Sequence, residues 1–260
     1  MESGGSGSGS GRALHADGLV NIRDLGGLER TDGTLTPRGV FFRSENVDGL
    51  TIEGWEQIYE AGIRTVVDLR QQGERALDTA ERPGWLTTSH VDLDGLENEE
   101  FWSGYWENGL VGTALYYLPH LTAMPERAAA ALSAIINAPR GGVLFHCMAG
   151  RDRTGIIAML LLVAANVDSE AIVDDYLETV RRGELRANHL GIKNAEPELD
   201  GLCAQNGTTT EGAFRAALTG FDPVGFLESA GMNERDQAAL MTWRGHIDVD
   251  RVHQNDETAG

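Results

Sequence analysis

Short apolar runs alternate with longer stretches of helical period along much of the chain. "GVFFRS" (Gly39 to Ser44), "RTVVDLR" (Arg64 to Arg70), "TTSHVDL" (Thr87 to Leu93) and "GGVLFHC" (Gly141 to Cys147) are rich in β-branched or aromatic residues. Each is bounded by Gly, Pro or charge and predicts a strand. Between them, "TIEGWEQIYEAG" opens on Thr51 as a cap and closes at Gly62, while "MPERAAAALSAIINAPRG" puts Pro125 in a first turn and stops at Pro139. This alternation predicts an α/β fold: a central, mostly parallel sheet of four or five strands flanked by helices. Beyond Val167 the pattern is helical almost throughout, in "DSEAIVDDYLETVRR", "TTTEGAFRAALTG", "DPVGFLESAG" and "NERDQAALMTWRG".

The opening "MESGGSGSGSGR", Met1 to Arg12, reads as a Gly/Ser linker outside the fold, and residues 249–260 as a polar tail. One domain over residues 13–248 is therefore expected. Within it, Gly95 to Leu121 sets Phe101, Trp102, Tyr105, Trp106, Tyr116 and Tyr117 among acids. Two readings fit: an amphipathic helical pair packed on the core, or a lid over a site at the strand ends.

Charge narrows the partners. Forty acidic against 21 basic residues give a formal charge of −19, which repels polyanions and argues against nucleic acid. The longest apolar run, Ile156 to Ala165, is shorter than the roughly 18 residues of a membrane span, and the start lacks the pattern of a signal peptide. The cysteines are Cys147 and Cys203. The setting of the first would be wasted in a disulfide, so a reducing, cytoplasmic location is expected, with secretion left open if the linker replaces a leader. Composition does not address oligomeric state.

The candidate chemistry lies in "HCMAGRDRTG", His146 to Gly155. With "GVLFH" as a strand and "GIIAMLLLVAA" as a buried helix, Cys147 to Arg153 forms a loop from a strand end to a helix N-terminus. Such a loop binds anions: backbone N–H groups of Met148, Ala149, Gly150 and Arg151 can converge on a ligand, and the helix adds about half a positive charge. Gly150 permits the curl. Arg153 offers two parallel donors to two phosphate oxygens. Fields of this kind lower a thiol pKa from about 8.5 into the range of roughly 3.5 to 7.5, which marks Cys147 as a nucleophile aimed at phosphorus. Thr154 is expected to hydrogen-bond the sulfur, and His146 to orient the loop through its ring N–H. The scheme needs neither metal nor cofactor. As a mere packing residue, Cys147 would leave its polar neighbours unexplained; Cys203, in "GLCAQNG", fits a packing role.

Cys147, five residues and then Arg153 resembles the signature of the cysteine-dependent protein tyrosine phosphatases. The fuller loop is similar to HC-x-x-G-K-D-R-T-G of a bacterial and fungal branch related to secreted tyrosine and lipid phosphatases of mycobacteria and Listeria. "NIRDLGG" (Asn21 to Gly27), "FFRSE" (Phe41 to Glu45), "VVDLRQQGE" (Val66 to Glu74) and "DDYLET" (Asp174 to Thr179) also resemble that branch. The resemblance implies a phosphatase fold and a phosphomonoesterase acting through a cysteinyl-phosphate. In that branch the aspartate inside the loop, here Asp152, is the general acid; in most tyrosine phosphatases the acid comes from a separate loop, where Asp92 or Asp94 of "HVDLDG" would stand.

Arg23, Asp24, Asp68, Arg70 and Arg43 read as ion-paired bracing for the loop and strand ends. Arg151 replaces the branch's lysine, keeping the charge on a bulkier planar group; it is expected to contact substrate, although activity on polyphosphorylated lipids becomes less certain. The expected substrate is a phosphorylated protein, with a small phosphomonoester such as a nucleotide or sugar phosphate as the alternative. A phosphate-binding module without catalysis would leave the loop's reactive positions without a purpose. A sulfurtransferase would not account for Thr154, Gly155 or the other segments.

Overall fold

The computed structural model describes residues 11–78 and 80–248; most of the predicted linker and all of the predicted tail lie outside these. Five strands form one sheet: β1 (Arg23–Asp24), β2 (Phe41–Ser44), β3 (Ile63–Asp68), β4 (Thr87–His90) and β5 (Gly142–His146). Their order is β1-β2-β5-β3-β4. β1 runs antiparallel to β2 and the other pairings are parallel, with Ser44 and Asp68 flanking His146 in register. The mostly parallel α/β sheet matches the sequence expectation. The third predicted strand stops at His90, short of Leu93, and β1 has only two residues, too few to give a period of its own.

The helices are α1 (Ile52–Glu60), α2 (Gln72–Arg75), α3 (Glu99–Trp106), α4 (Tyr117–Ala123), α5 (Pro125–Ile136), α6 (Arg153–Ala164), α7 (Ser169–Arg181), α8 (Gly183–Leu190), α9 (Glu196–Gln205), α10 (Thr210–Gly220), α11 (Pro223–Ser229) and α12 (Glu234–Met241). Caps fix several starts. Thr51 accepts from the Gly54 N–H, Asp168 from Glu170 and Ala171, and Pro125 opens α5.

Strand alternation distributes the core. Phe41, Val67, Val143 and Phe145 face a large cluster containing α5 and α6, whereas Phe42, Val66 and Leu144 face a smaller one with Trp55 and Ile58 of α1. Every residue of α6 from Thr154 to Leu162 is buried, so the helix that follows Cys147 cannot shift without disrupting the main core.

One expectation needs correction. Arg12, assigned to the linker, is 5% exposed and lies 2.8 Å from Asp175 Oδ1. Gly/Ser composition on one side of it concealed a partner 163 residues away. Asp175, on α7, also holds Arg23 at 2.9 Å and Arg43 at 2.7 Å. Burial pushes this carboxyl up, but the three guanidinium groups outweigh it and hold it far below the ordinary carboxylate range.

Asp175→Asn leaves three buried cations without their anion and should cost about 3–5 kcal/mol in urea unfolding at pH 7. The folded-state pKa lies below the unfolded one. The contribution is therefore present above about pH 4 and lost as pH falls, and the gap between parent and variant should narrow from pH 7 toward pH 3. A gap independent of pH would show that the carboxylate charge is not what stabilises this cluster.

Candidate active site

β5 ends at His146, and residues 147–152 curl beneath the C-terminal ends of the parallel strands before α6 begins at Arg153. Ligand sites in parallel α/β sheets favour this edge. Each carbonyl of the curl has a donor. The His146 Nδ1–H donates to Cys147 O (3.0 Å), the Asn46 N–H to Met148 O (3.0 Å) and the Asn21 amide to Ala149 O (3.5 Å). Arg43 Nη2 donates to Gly150 O (2.8 Å), the Tyr117 hydroxyl to Arg151 O (3.2 Å) and the Ile156 N–H to Asp152 O (2.8 Å). No backbone N–H from Met148 to Arg153 finds a backbone or side-chain acceptor among the described residues. A run of unpaired N–H groups at a helix N-terminus is an anion cradle.

Gly150 has φ +69°, and a Cβ there would lie 2.4 Å from the Ser44 carbonyl oxygen, so no side chain fits. Cys147 is buried at the start of the curl. Burial holds His146 down at about 4 despite Asp68, so it is a neutral donor to the loop and not a proton carrier at physiological pH.

Arg153 is gripped from two sides. Its Nη2 reaches Glu74 Oε1 at 2.8 Å and its Nη1 reaches Asp94 Oδ2 at 2.8 Å and the second Glu74 oxygen. Glu74 also caps α2 by accepting from the Gln71 N–H. Burial raises Glu74, but Arg153 more than offsets this and holds it below its usual range. Asp94 behaves oppositely: burial, joined by the charges of Glu74, Asp92 and Asp152, pushes it up to about 6 against the pull of Arg153. Asp152 is raised by burial against Arg151 and Arg153, and its buried Oδ1 has no hydrogen-bond partner.

The expected bracing is largely present. Asp68 binds Arg70 through Nη2 (2.8 Å) and Nε (2.9 Å), and Arg70 also reaches Asp78 and Asp48. Arg23 and Arg43 converge on Asp175. Asp24 departs from the ion-pair expectation: it accepts from the Gly26 and Gly39 N–H groups at 2.7 and 2.9 Å, as short polar side chains do at turns. Cys203 is buried, and burial raises its thiol pKa.

Two further expectations are corrected. Thr154 Oγ1 is buried without any hydrogen-bond partner, the Cys147 sulfur included. Arg151 is 2% exposed, and its guanidinium is committed elsewhere: it donates to Gly112 O, lies 3.1 Å from Glu196 and faces the Tyr176 ring at 5.8 Å. The signature spacing locates Arg151 on the loop and Thr154 in the first turn of α6, yet the direction of the Arg151 side chain depends on α9 and on the segment around Gly112, which are far away in sequence.

Sequence reading assigned no role to Glu74, Asp175, Asn21, Asn46, Glu45, Tyr117 or Glu196. Glu74, Asn21, Glu45 and Asp175 all lie inside segments already singled out, so the signal was present at the level of the motif. Glu45 accepts from the Val20 and Asn21 N–H groups at 2.7 and 3.0 Å and so positions the amide that supports Ala149.

The fold and the loop together define a cysteine-centred anion site on a mostly parallel sheet. The chain belongs to the tyrosine phosphatase family, whose profile matches residues 14–243. It is 29% identical over 219 residues to a tyrosine-protein phosphatase of Nostoc commune, covering 78% of this chain and 73% of that one. It is 30% identical over 192 residues to the triple specificity protein phosphatase PtpB of Mycobacterium tuberculosis, covering 62% and 67%. A third relative is the Cupriavidus necator protein H16_A0669, named as a candidate tyrosine-protein phosphatase. It is 30% identical over 174 residues, covering 65% of this chain and only 63% of that protein.

Because Asp94 has a folded-state pKa near 6, above the unfolded value of about 3.9, its ionisation opposes folding as pH rises through 6. Asp94→Asn should therefore improve in Tm relative to the parent on going from pH 5 to pH 7.5. Thermal melts at the two pH values test this, and a difference that shrinks toward pH 7.5 would contradict the raised pKa.

Proposed function

We propose that this protein is a cysteine-dependent phosphomonoesterase of the protein tyrosine phosphatase type. The observation that carries the reading is the curl of residues 147–152, whose carbonyls are all held by donors while its N–H groups are left for a ligand. A phosphoryl group seated there would meet the N–H groups of Met148 to Arg153 and the Arg153 guanidinium, which stabilise the charge of the transferring group. Cys147 Sγ attacks phosphorus, forming the S–P bond as the P–O ester bond breaks, and the departing oxygen takes a proton from a carboxylic acid. Water then attacks the cysteinyl-phosphate, the same carboxylate takes the water's proton, and the thiolate leaves as inorganic phosphate forms.

Asp152 is the acid in this reading, because its Oδ1 makes no hydrogen bond, its one cation contact there being Arg151 at 3.9 Å, and burial favours its protonated form. Asp94 supports a second assignment: its pKa near 6 keeps part of it protonated at neutral pH, and it sits on Arg153. Phosphoprotein is the favoured substrate class on the strength of the family, and a reducing compartment suits the free cysteines Cys147 and Cys203. Among the described residues no helix is long and apolar enough to cross a membrane. The segment from Gly95 to Leu121 is anchored in the core by Trp102 and Tyr116, which are buried and cluster with His120.

Cys147→Ser should abolish hydrolysis of p-nitrophenyl phosphate while retaining phosphate binding. Residual turnover within about tenfold of the parent, a barrier difference of only roughly 1.4 kcal/mol, would exclude the covalent route.

The acid is identified by leaving-group dependence. Asp152→Asn should slow an aryl phosphate with a poor leaving group by about 10²- to 10⁴-fold and spare an ester of a very acidic phenol, whose oxygen leaves as an anion without proton assistance. If Asp94→Asn shows this pattern instead, the acid belongs to the loop after β4.

A further inference from the structure

We infer that the site selects a single phosphoryl group carried on neutral or basic surroundings, and that Glu196 enforces this by holding Arg151 behind the loop. The inference takes the phosphatase site above as its starting point and adds its substrate class. Two independent features lead to it.

The first is the fate of the loop's second cation. Arg151 and Arg153 are separated by one residue, and either could in principle face a ligand. Arg151 is almost completely buried on the side of α9: it donates to the Gly112 carbonyl, pairs with Glu196 at 3.1 Å and more loosely with Asp152 Oδ1 at 3.9 Å, and lies over Tyr176. The arrangement is packed in place. A Cβ on Gly112 would come within 2.5 Å of Leu199 Cδ2, so α9 and the Gly112 segment are in direct contact around the guanidinium. Glu196 is itself mostly buried, with a side chain 18% exposed, and its Oε2 makes no hydrogen bond, so the ion pair with Arg151 is its charge partner there. A second phosphate on the substrate therefore has no Arg151 to receive it.

The second feature is the charge around Arg153. Glu74 and Asp94 already match it, Asp152 and Asp92 act on the same group of carboxyls, and the chain continues from Asp94 into Glu97, Glu99 and Glu100, which are exposed. Glu97 is paired with Arg127, but Glu99 and Glu100 sit in the first turn of α3, where the helix favours their negative charge. One bound dianion is offset by the cradle and Arg153. Further negative charge on the substrate meets carboxylates, whereas lysine or arginine beside the phosphorylated residue is attracted to them. Glu196 is thus a positioning residue that acts through Arg151.

The test compares kcat/KM for a phosphotyrosine peptide with lysine and arginine on either side, the same peptide with glutamate there, and a short-chain phosphatidylinositol bisphosphate, with p-nitrophenyl phosphate as the reference. The basic peptide should exceed the acidic one by about tenfold or more at low salt, with the ratio falling toward one in 0.5 M NaCl, and the bisphosphate should be the poorest. Equal or better use of the acidic peptide or the bisphosphate overturns the inference. Glu196→Ala should raise the bisphosphate rate relative to p-nitrophenyl phosphate at least about fivefold, and Glu196→Asp should keep the parent ratio. An unchanged ratio in Glu196→Ala, including a parallel fall on both substrates, removes Glu196 from specificity. If p-nitrophenyl phosphate is not hydrolysed at all, the phosphatase reading fails. The affinities of the parent protein for the two peptides then decide the inference by the same order.

Discussion

The geometry of the site depends on one buried carboxylate. Asp175 gathers Arg12, Arg23 and Arg43, and Arg43 passes that anchorage to the loop by donating to the Gly150 carbonyl. Without the anion, three guanidinium groups would have to share a small buried volume, and Arg43 would have no reason to stay under the curl. With it, Arg43 has one end fixed on α7 and the other on the tightest point of the loop. The chain can then turn at Gly150 and leave its N–H groups unspent. The shape of the curl therefore depends on a charge cluster that reaches it only through Arg43.

This explains what the sequence disclosed and what it hid. Cys147, Gly150 and Arg153 are legible because their chemistry is local: a strand end, a glycine and a helix start lie within a few residues, and the spacing alone implies a loop. The alternation of strands and helices was equally local, and the parallel sheet followed from it. Side-chain destinations were not local. Arg12 follows a Gly/Ser run yet pairs with α7, and Arg151 sits beside Arg153 yet pairs with Glu196 and Gly112, neither of which lies near it in sequence. Thr154 stands in the first turn of α6, and its hydroxyl makes no hydrogen bond to the sulfur. Asp24 shows the same limit, since a carboxylate beside an arginine invites an ion pair while two turn N–H groups compete for it.

The aromatic segment after Asp94 links fold to chemistry in a way composition could not reveal. Trp102 Nε1 donates to the Asp94 carbonyl at 3.0 Å, and His120 holds the Leu93 carbonyl at 2.8 Å. Burial keeps His120 below its ordinary pKa, so this contact is made by a neutral ring. The aromatics thus fix the backbone on both sides of the peptide that delivers Asp94 to Arg153. Their packing and the placement of an ionisable group in the site are one event, and a mobile element could include only residues outside that cluster.

Asp94 and Glu74 together also shape how an anion would be received. Before a ligand arrives, Arg153 is matched by Glu74, which is held ionised, and by Asp94, whose pKa near 6 leaves it easily protonated. A phosphoryl dianion brought to Arg153 adds negative charge beside both carboxyls. Glu74 is tied to Arg153 through both oxygens and to the start of α2, so it resists protonation. Asp94 has the raised pKa and one contact to Arg153, so of the two carboxyls it is the one that added negative charge would more readily protonate. The two carboxyls therefore differ in kind: Glu74 holds the guanidinium through both oxygens, whereas Asp94 makes one contact from surroundings that favour its neutral form.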